Sequence, residues 1–168
     1  AGVALSCNTP TTLTSPGHPV VVSESTTLLS GISGANNVVN ENPLDFASIQ
    51  VATGTATLAV RDRVSSYQAG TFAGFDVEKS DLISAGLLAG VTISTFLDGS
   101  PRETASSLGL VSAGLLTGGR QKIGFITGLT FDEVRITVSS AVSLSGPLNV
   151  YGLVVERYCE GDLITCNS

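Results

Sequence analysis

The sequence predicts an all-β protein, an antiparallel β-sandwich or jelly roll, on three observations. Short runs rich in Val, Ile, Thr and Phe recur along the chain; several alternate apolar and polar residues with period two; and Gly-, Pro- or Asp-containing turns separate them. Many short strands with regular turns point to two packed sheets, because each sheet must bury one face against another layer.

The elements follow in order. Pro19 precedes an apolar strand at 20–22, and 26–32 reads as a second strand. Over 46–53, Phe46, Ser48 and Gln50 share one face and Ala47, Ile49 and Val51 the other, until Gly54 breaks the pattern. Residues 55–64 set Ala56, Leu58 and Val60 against Thr55, Thr57, Ala59 and Arg61. A turn at 67–70 leads into a strand at 71–78. Strands at 91–97 and 102–106 form a hairpin about Asp98, Gly99, Ser100 and Pro101, since glycine accepts the positive φ that an Asp-Gly turn requires. Segments 120–127, 131–139 and 148–158 supply the last strands, and in the middle one Val134, Ile136 and Val138 alternate with Glu133, Arg135 and Thr137. Residues 82–90 and 110–118 do not fit strands; they share Ser-Ala-Gly-Leu-Leu at an offset of 28. They read as apolar loops or single helical turns plugging the ends of the sandwich, with a paired apolar docking surface as the sharper alternative.

The 168 residues suffice for one domain. Eight Lys and Arg against 14 Asp and Glu give a net charge of −6, and the cations are scattered rather than clustered. That pattern argues against nucleic acid, which demands a basic face, and against anionic membrane surfaces. No apolar run approaches the length of a membrane span, so membrane insertion is not expected, and no secretory signal opens the chain. The absence of Met and the scarcity of Cys and His fit an exposed extracellular protein.

Three cysteines, Cys7, Cys159 and Cys166, leave one without a partner. Residues 2–9 (GVALSCNT) and 161–168 (GDLITCNS) match at Gly, Cys and Asn with an offset of 159. The match reads as one period of a tandem array. On this reading residues 1–13 are a linker from the preceding repeat, 14–158 the sandwich, and 159–168 a disulfide-braced linker to the next repeat. Cys159 and Cys166 then form a disulfide, as export to an oxidising compartment allows. Cys7 is interdomain, either free or paired with a cysteine just upstream. The rival pairing, Cys7 with Cys166, ties the two ends together and opposes head-to-tail extension.

Catalytic constellations are not legible. The single histidine, His18, sits between Gly17 and Pro19 as a loop residue, and no Gly-x-Ser-x-Gly elbow, paired-His zinc spacing, P-loop or dinucleotide fingerprint occurs. Asp98, Glu103, Asp132 and Glu133 are not placed by the sequence across any cleft. An enzyme is therefore not expected. The loop carrying Asn40, Glu41, Asn42 and Asp45 gathers oxygen ligands of the kind calcium takes, although two asparagines stand where aspartates would hold the ion more strongly.

The segments at 37–49, 67–75, 93–99, 123–127 and 131–137, taken as an ordered series, resemble the tandem domains of very large surface proteins of Bacteroidota, including gliding-motility adhesins. The resemblance spans residues 36–168. It implies a sandwich of the galactose-binding or discoidin group, export to the cell surface, and adhesion without catalysis, with neighbouring copies of the same domain and surface glycans as partners. The family's Val-Asp-Gly-Asp loop is replaced by Val39, Asn40, Glu41 and Asn42, which weakens the calcium expectation. A structural and adhesive repeat of a filamentous surface protein is the leading functional expectation. A carbohydrate-binding module of a secreted protein is the alternative, set against the lack of any Trp to stack on a sugar ring.

Overall fold

The computed structural model describes residues 5–15, 17–78, 90–106, 110–115, 120–139 and 147–159. Two antiparallel sheets pack face to face. The strands are β1 (Thr11–Thr12), β2 (Val20–Thr26), β3 (Ser30–Ser33), β4 (Ala47–Val51), β5 (Thr55–Asp62), β6 (Thr71–Glu78), β7 (Val91–Leu97), β8 (Ser100–Ser106), β9 (Val111–Leu115), β10 (Gln121–Ile126), β11 (Glu133–Ser139) and β12 (Leu148–Arg157). A short 3-10 turn, Ala35–Val38, links β3 to the loop before β4. One sheet has the order β3-β4-β12-β6-β10-β9, with β1 also on β12; the other has the order β2-β5-β11-β7-β8.

The alternation read from the sequence sets the register. Val134 faces Val60, Ile136 faces Leu58 and Val138 faces Ala56 across β11 and β5. All six are buried and join the core with Ile49, Phe75, Ile93, Ile123, Val150 and Val155 from the opposing strands. The β7–β8 hairpin turns at Asp98 (φ 50°) and Gly99 (φ 81°), the two positive angles that a two-residue turn matching the strand twist requires.

Three local expectations are corrected. The strand expected over 26–32 is broken: β2 ends at Thr26, Leu28 adopts a positive φ of 52°, and β3 begins at Ser30. Here the chain leaves one sheet for the other. The segment expected to plug an end, 110–118, contributes β9 as an edge strand on β10, reached through a register shift at Gln121 and Lys122; its twin at 82–89 lies outside the described residues. The third concerns the first residues. Thr11 and Thr12 pair with Val155 and Val154, and Leu13 is fully buried, so residues 11–13 belong to the sandwich rather than to a linker.

That placement also corrects the disulfide. Cys7 bridges to Cys159, with Cα atoms 5.4 Å apart, and not Cys159 to Cys166. The reason is the β1–β12 pairing. It carries the chain back so that the Asn8 N–H donates to the Arg157 carbonyl at 2.7 Å and the Cys159 N–H reaches Asn8 Oδ1 at 3.3 Å. Cys166 lies outside the described residues. The bridge fixes the start and the end of the described fold at one pole.

The same pole is closed by a polar assembly. Asp62 accepts N–H groups from Val64 and Ser65 and the phenol O–H of buried Tyr67 at 2.8 Å. Burial, then the hydrogen bond to Asp62, holds the Tyr67 phenol far above the ordinary tyrosine range. Its ring stacks on Phe131. Asp132 accepts the Asp98 N–H through Oδ2 at 3.2 Å, while its buried Oδ1 has no partner. Burial pushes the Asp132 carboxyl up; the Asp98 N–H and Arg61 oppose that shift.

Two predictions follow from this pole. Non-reducing peptide mapping of material from an oxidising compartment should recover a Cys7–Cys159 linkage. The bridge closes a separation of 152 residues, so replacing both cysteines by Ala should cost about 2–5 kcal/mol of stability; a Cys159–Cys166 peptide would refute the assignment. For Asp132 the sign is set by its raised carboxyl, which binds a proton more tightly folded than unfolded. Its ionisation therefore opposes folding above the ordinary aspartate range. Asp132→Asn keeps an oxygen for the Asp98 N–H and removes that charge. At neutral pH its melting temperature should exceed wild type by the equivalent of at most about 1 kcal/mol. The gain should fade as the pH drops toward roughly 4. A gain that persists in acid would show that charge burial is not its source.

Candidate functional site

Of the four acidic side chains that a hydrolase could use, Asp98 is exposed and the other three are engaged in holding the fold. Asp132 anchors the Asp98 backbone, Glu103 accepts the N–H groups of Gly128 and Leu129 at 2.8–3.0 Å, and Glu133 pairs with Arg135 at 2.6 Å. The Arg135 guanidinium lies over Phe96. His18 is half-buried in the turn before β2, its backbone bonded to Thr14 and Val20. These groups are brought to one pole, where these contacts are structural.

The loop read as a calcium site is closed by its own side chains. Asn40 Nδ2 donates to Asp45 Oδ2 at 2.7 Å and Asn42 Nδ2 to Asp45 Oδ1 at 3.2 Å, while Asn40 Oδ1 and Asn42 Oδ1 accept backbone N–H groups of Asn42 and Leu44. Glu41 is exposed. As arranged, both amides direct N–H groups at the carboxylate, so a cation here would require each to turn its oxygen inward. Among the described residues no group of three His, Cys, Asp or Glu side chains gathers to hold a metal ion.

The outer face of the larger sheet is where chemistry collects. Its strands alternate, so Phe46, Ser48 and Gln50 of the β4 segment, Asn149 and Tyr151 of β12, and Asp76 and Glu78 of β6 point away from the core. Tyr151 sits at a register shift between Val150 and Gly152, where β12 bulges against β6. Its hydroxyl donates to Glu78 at 2.7 Å, and burial with that carboxylate pushes the phenol up to about 12. The Arg120 guanidinium lies 3.8 Å from the Tyr151 ring centroid, pairs with Asp76, and donates to the Pro43 carbonyl at 2.8 Å. Phe46 packs tilted against the same ring at 5.3 Å. The 40–46 loop is thereby drawn over the sheet. Asp76 is nearly inaccessible, one of its oxygens has no partner, and burial raises its carboxyl against the pull of Arg120. Beyond it Lys122 and Glu156 form a second buried pair at 3.1 Å beside Phe72.

Next to this polar region the face opens into a groove of about 630 Å³, within the range of ligand sites. It is lined by Leu28 and Leu29 of the β2–β3 turn, Ser30 to Ser33 of β3, Ser48, Gln50 and Ala52, and Pro147 before β12. Ser48 Oγ donates to Asn149 Oδ1 at 3.1 Å, linking the groove to the Tyr151 region. Ser33 and Gln50 make no side-chain hydrogen bond among the described residues. Sequence reasoning found the outward alternation of Phe46, Ser48 and Gln50. It did not find the groove, whose walls come from three separated segments, nor the Arg120–Tyr151 stack. A signal that could have found it is the pair of cations, Arg120 and Lys122, at the start of an apolar strand.

No protein-family model matches the chain, and no curated protein matches it in sequence. Among solved structures it is similar to a fucose binding module from Streptococcus pneumoniae, 14% identical, covering 83% of this chain and 94% of that one, with a TM-score of 0.50. It is similar also to the lectin domain of Lectinolysin complexed with Lewis B antigen, 13% identical, covering 84% and 95%, with a TM-score of 0.51. These likenesses agree with the architecture of an all-β, two-sheet antiparallel sandwich.

Proposed function

We propose that the chain is a non-catalytic carbohydrate-binding module of an exported protein. The observation that carries this reading is the contrast on its surface. Asp62, Glu103, Asp132 and Glu133 at the disulfide pole are engaged in structure, whereas the outer face of the larger sheet presents an open groove with an unengaged Ser33 hydroxyl and Gln50 amide. Sugars are recognised by such uncharged donors and acceptors set against apolar walls. The similar solved domains, a fucose-binding module and a lectin domain bound to Lewis B, support the same class. The Cys7–Cys159 bridge suits an oxidising, extracellular setting, and no described helix is long and apolar enough to cross a membrane.

A second reading, the adhesive tandem repeat of a cell-surface filament, rests on the match of 161–168 to 2–9. The observed bridge changes how that reading works. With an offset of 159, Cys166 is the counterpart of Cys7, so each domain of an array would close its own bridge of the Cys7–Cys159 type. Cys166 would then serve the following copy. Neighbouring copies are the partners in this reading and surface glycans in the first; a gliding-motility role is its narrowest form.

The intact chain, labelled and applied to a broad glycan array, should be retained by a restricted set of glycans. The retained glycan should raise the melting temperature with concentration, as mass action requires. Failure to retain any glycan, with no thermal shift, would remove the module reading and leave the structural repeat.

A further inference from the structure

We infer that the groove between the β2–β3 turn and Pro147 is the glycan-contacting site, and that it takes an uncharged sugar chain rather than an acidic or sulfated one. The inference rests on the carbohydrate-binding reading and adds where and what.

The first support is charge. Among the described residues none that lines the groove is ionisable: they offer the hydroxyls of Ser33 and Ser48, the Gln50 amide, and the apolar surfaces of Leu28, Leu29 and Pro147. A sulfate or uronate would find no cation among the described lining residues, and the net charge of −6 repels anions at longer range. The second is the rim. Leu28 and Leu29 are 81% and 70% exposed, and Leu28 holds a positive φ of 52° that a leucine adopts only at a cost. The turn is nevertheless pinned. The Leu29 carbonyl accepts N–H groups of Ala52 and Thr53 at 2.8 and 3.2 Å, its N–H donates to Thr53 Oγ1, and Thr27 Oγ1 accepts the Thr55 N–H. A strained, exposed and rigidly held apolar pair is an unfavourable arrangement for folding alone. It is a suitable one for packing against the C–H face of a sugar ring. Strain of this kind, held by surrounding bonds, concentrates at binding sites.

The third support is that the aromatic rings nearest the groove are engaged; the exposed Tyr158 lies at the opposite pole, beside the bridged Cys159. Tyr151 is covered by the Arg120 guanidinium on its face and flanked by Phe46, while Tyr67 and Phe131 are buried. The fourth is space and position. A side chain added at Gly31 meets nothing within 4 Å, so the floor of the groove is open at that point. β12 starts beside the groove and ends at Arg157 next to the bridged Cys159. Its ten residues separate the two by about 30 Å. The groove therefore faces away from the pole where the described chain ends are tied.

Affinity electrophoresis tests this on the intact chain. Gels contain galactomannan, mixed-linkage glucan or xyloglucan as neutral probes, and heparin or alginate as acidic ones. Wild type should be retarded in at least one neutral gel and in neither acidic gel. Gly31→Phe should abolish retardation with an unchanged melting temperature. Leu28→Asn suits the positive φ, so its melting temperature should hold or rise while affinity falls roughly tenfold or more. Val64→Ser, an exposed change at the other pole, should behave as wild type. If Gly31→Phe melts early, Leu28→Asn and Gln50→Ala carry the site test. Retardation by an acidic polymer overturns the ligand class alone. Wild-type retardation in the groove variants overturns the site but leaves glycan binding. No retardation in any gel, together with an array that retains nothing, overturns the reading beneath both.

Discussion

Strand β12 is paired along both of its edges. β6 runs along one side from Asn149 to Arg157, while β4 holds Leu148 to Val150 on the other and β1 holds Val154 and Val155. An interior strand of this kind cannot shift register without exposing Leu148, Val150, Leu153 and Val155, all buried. The rest of the larger sheet is referred to it. Its first residues place Asn149 beside Ser48 at the groove, its bulge presents Tyr151 to Arg120, and its last residues bring Cys159 to Cys7. The bulge is accommodated by Gly152, where a side chain would run into Thr12 and approach the Val38 carbonyl. A point change at that glycine would disturb β1 and the 3-10 turn together.

The neighbouring strands solve a different problem. β6 is buried on both faces, so its outward residues cannot simply be solvated. Gly74 and Gly124 stand opposite each other on β6 and β10: a side chain at Gly74 would run into the Phe72 ring, and one at Gly124 into the Ala73 backbone. The outward charges are then compensated in pairs, Asp76 with Arg120 and Lys122 with Glu156. A buried pair is a weak source of net stability, because desolvation offsets most of the attraction, but losing one partner is costly. These pairs therefore act chiefly as positioning devices. Arg120 in particular couples three things: the Asp76 carboxylate, the Tyr151 ring, and the backbone of the 40–46 loop.

What the sequence made legible follows from which constraints are local. Period-two alternation makes β4, β5 and β11 legible with their two faces, because a strand's side-chain direction depends only on its own neighbours. The Asp98-Gly99 turn was readable for the same reason. β9 was missed since Ser-Ala-Gly-Leu-Leu carries no alternation, and its strand state comes from pairing with β10. The Cys7–Cys159 bridge is not legible because it is a contact of chain ends far apart in sequence, 152 residues. That contact depends on the two-residue β1, too short to stand out. The break at Leu28 went unseen because a leucine gives no hint of a positive φ. The neighbouring threonines impose it. The groove shares this origin, being assembled from residues near 28–33, 48–52 and 147.

The Leu28 turn shows why these long-range constraints matter for function. A glycine or asparagine would satisfy the backbone there more cheaply, and the surrounding bonds of Thr27, Thr53 and Thr55 would hold such a turn equally well. Gly54 fits closely against it, with no room for a side chain beside Thr27 and Leu28. The turn's geometry is thus set by its neighbours, and the leucine is free to be chosen for what it presents. Leu28 and Leu29 contribute nothing to the core, yet their position is as fixed as that of a core residue. Rigid apolar surface at the rim of an open groove lowers the ordering cost of binding. Weak individual contacts to an uncharged chain can then add up without the aromatic stacking that a Trp would supply.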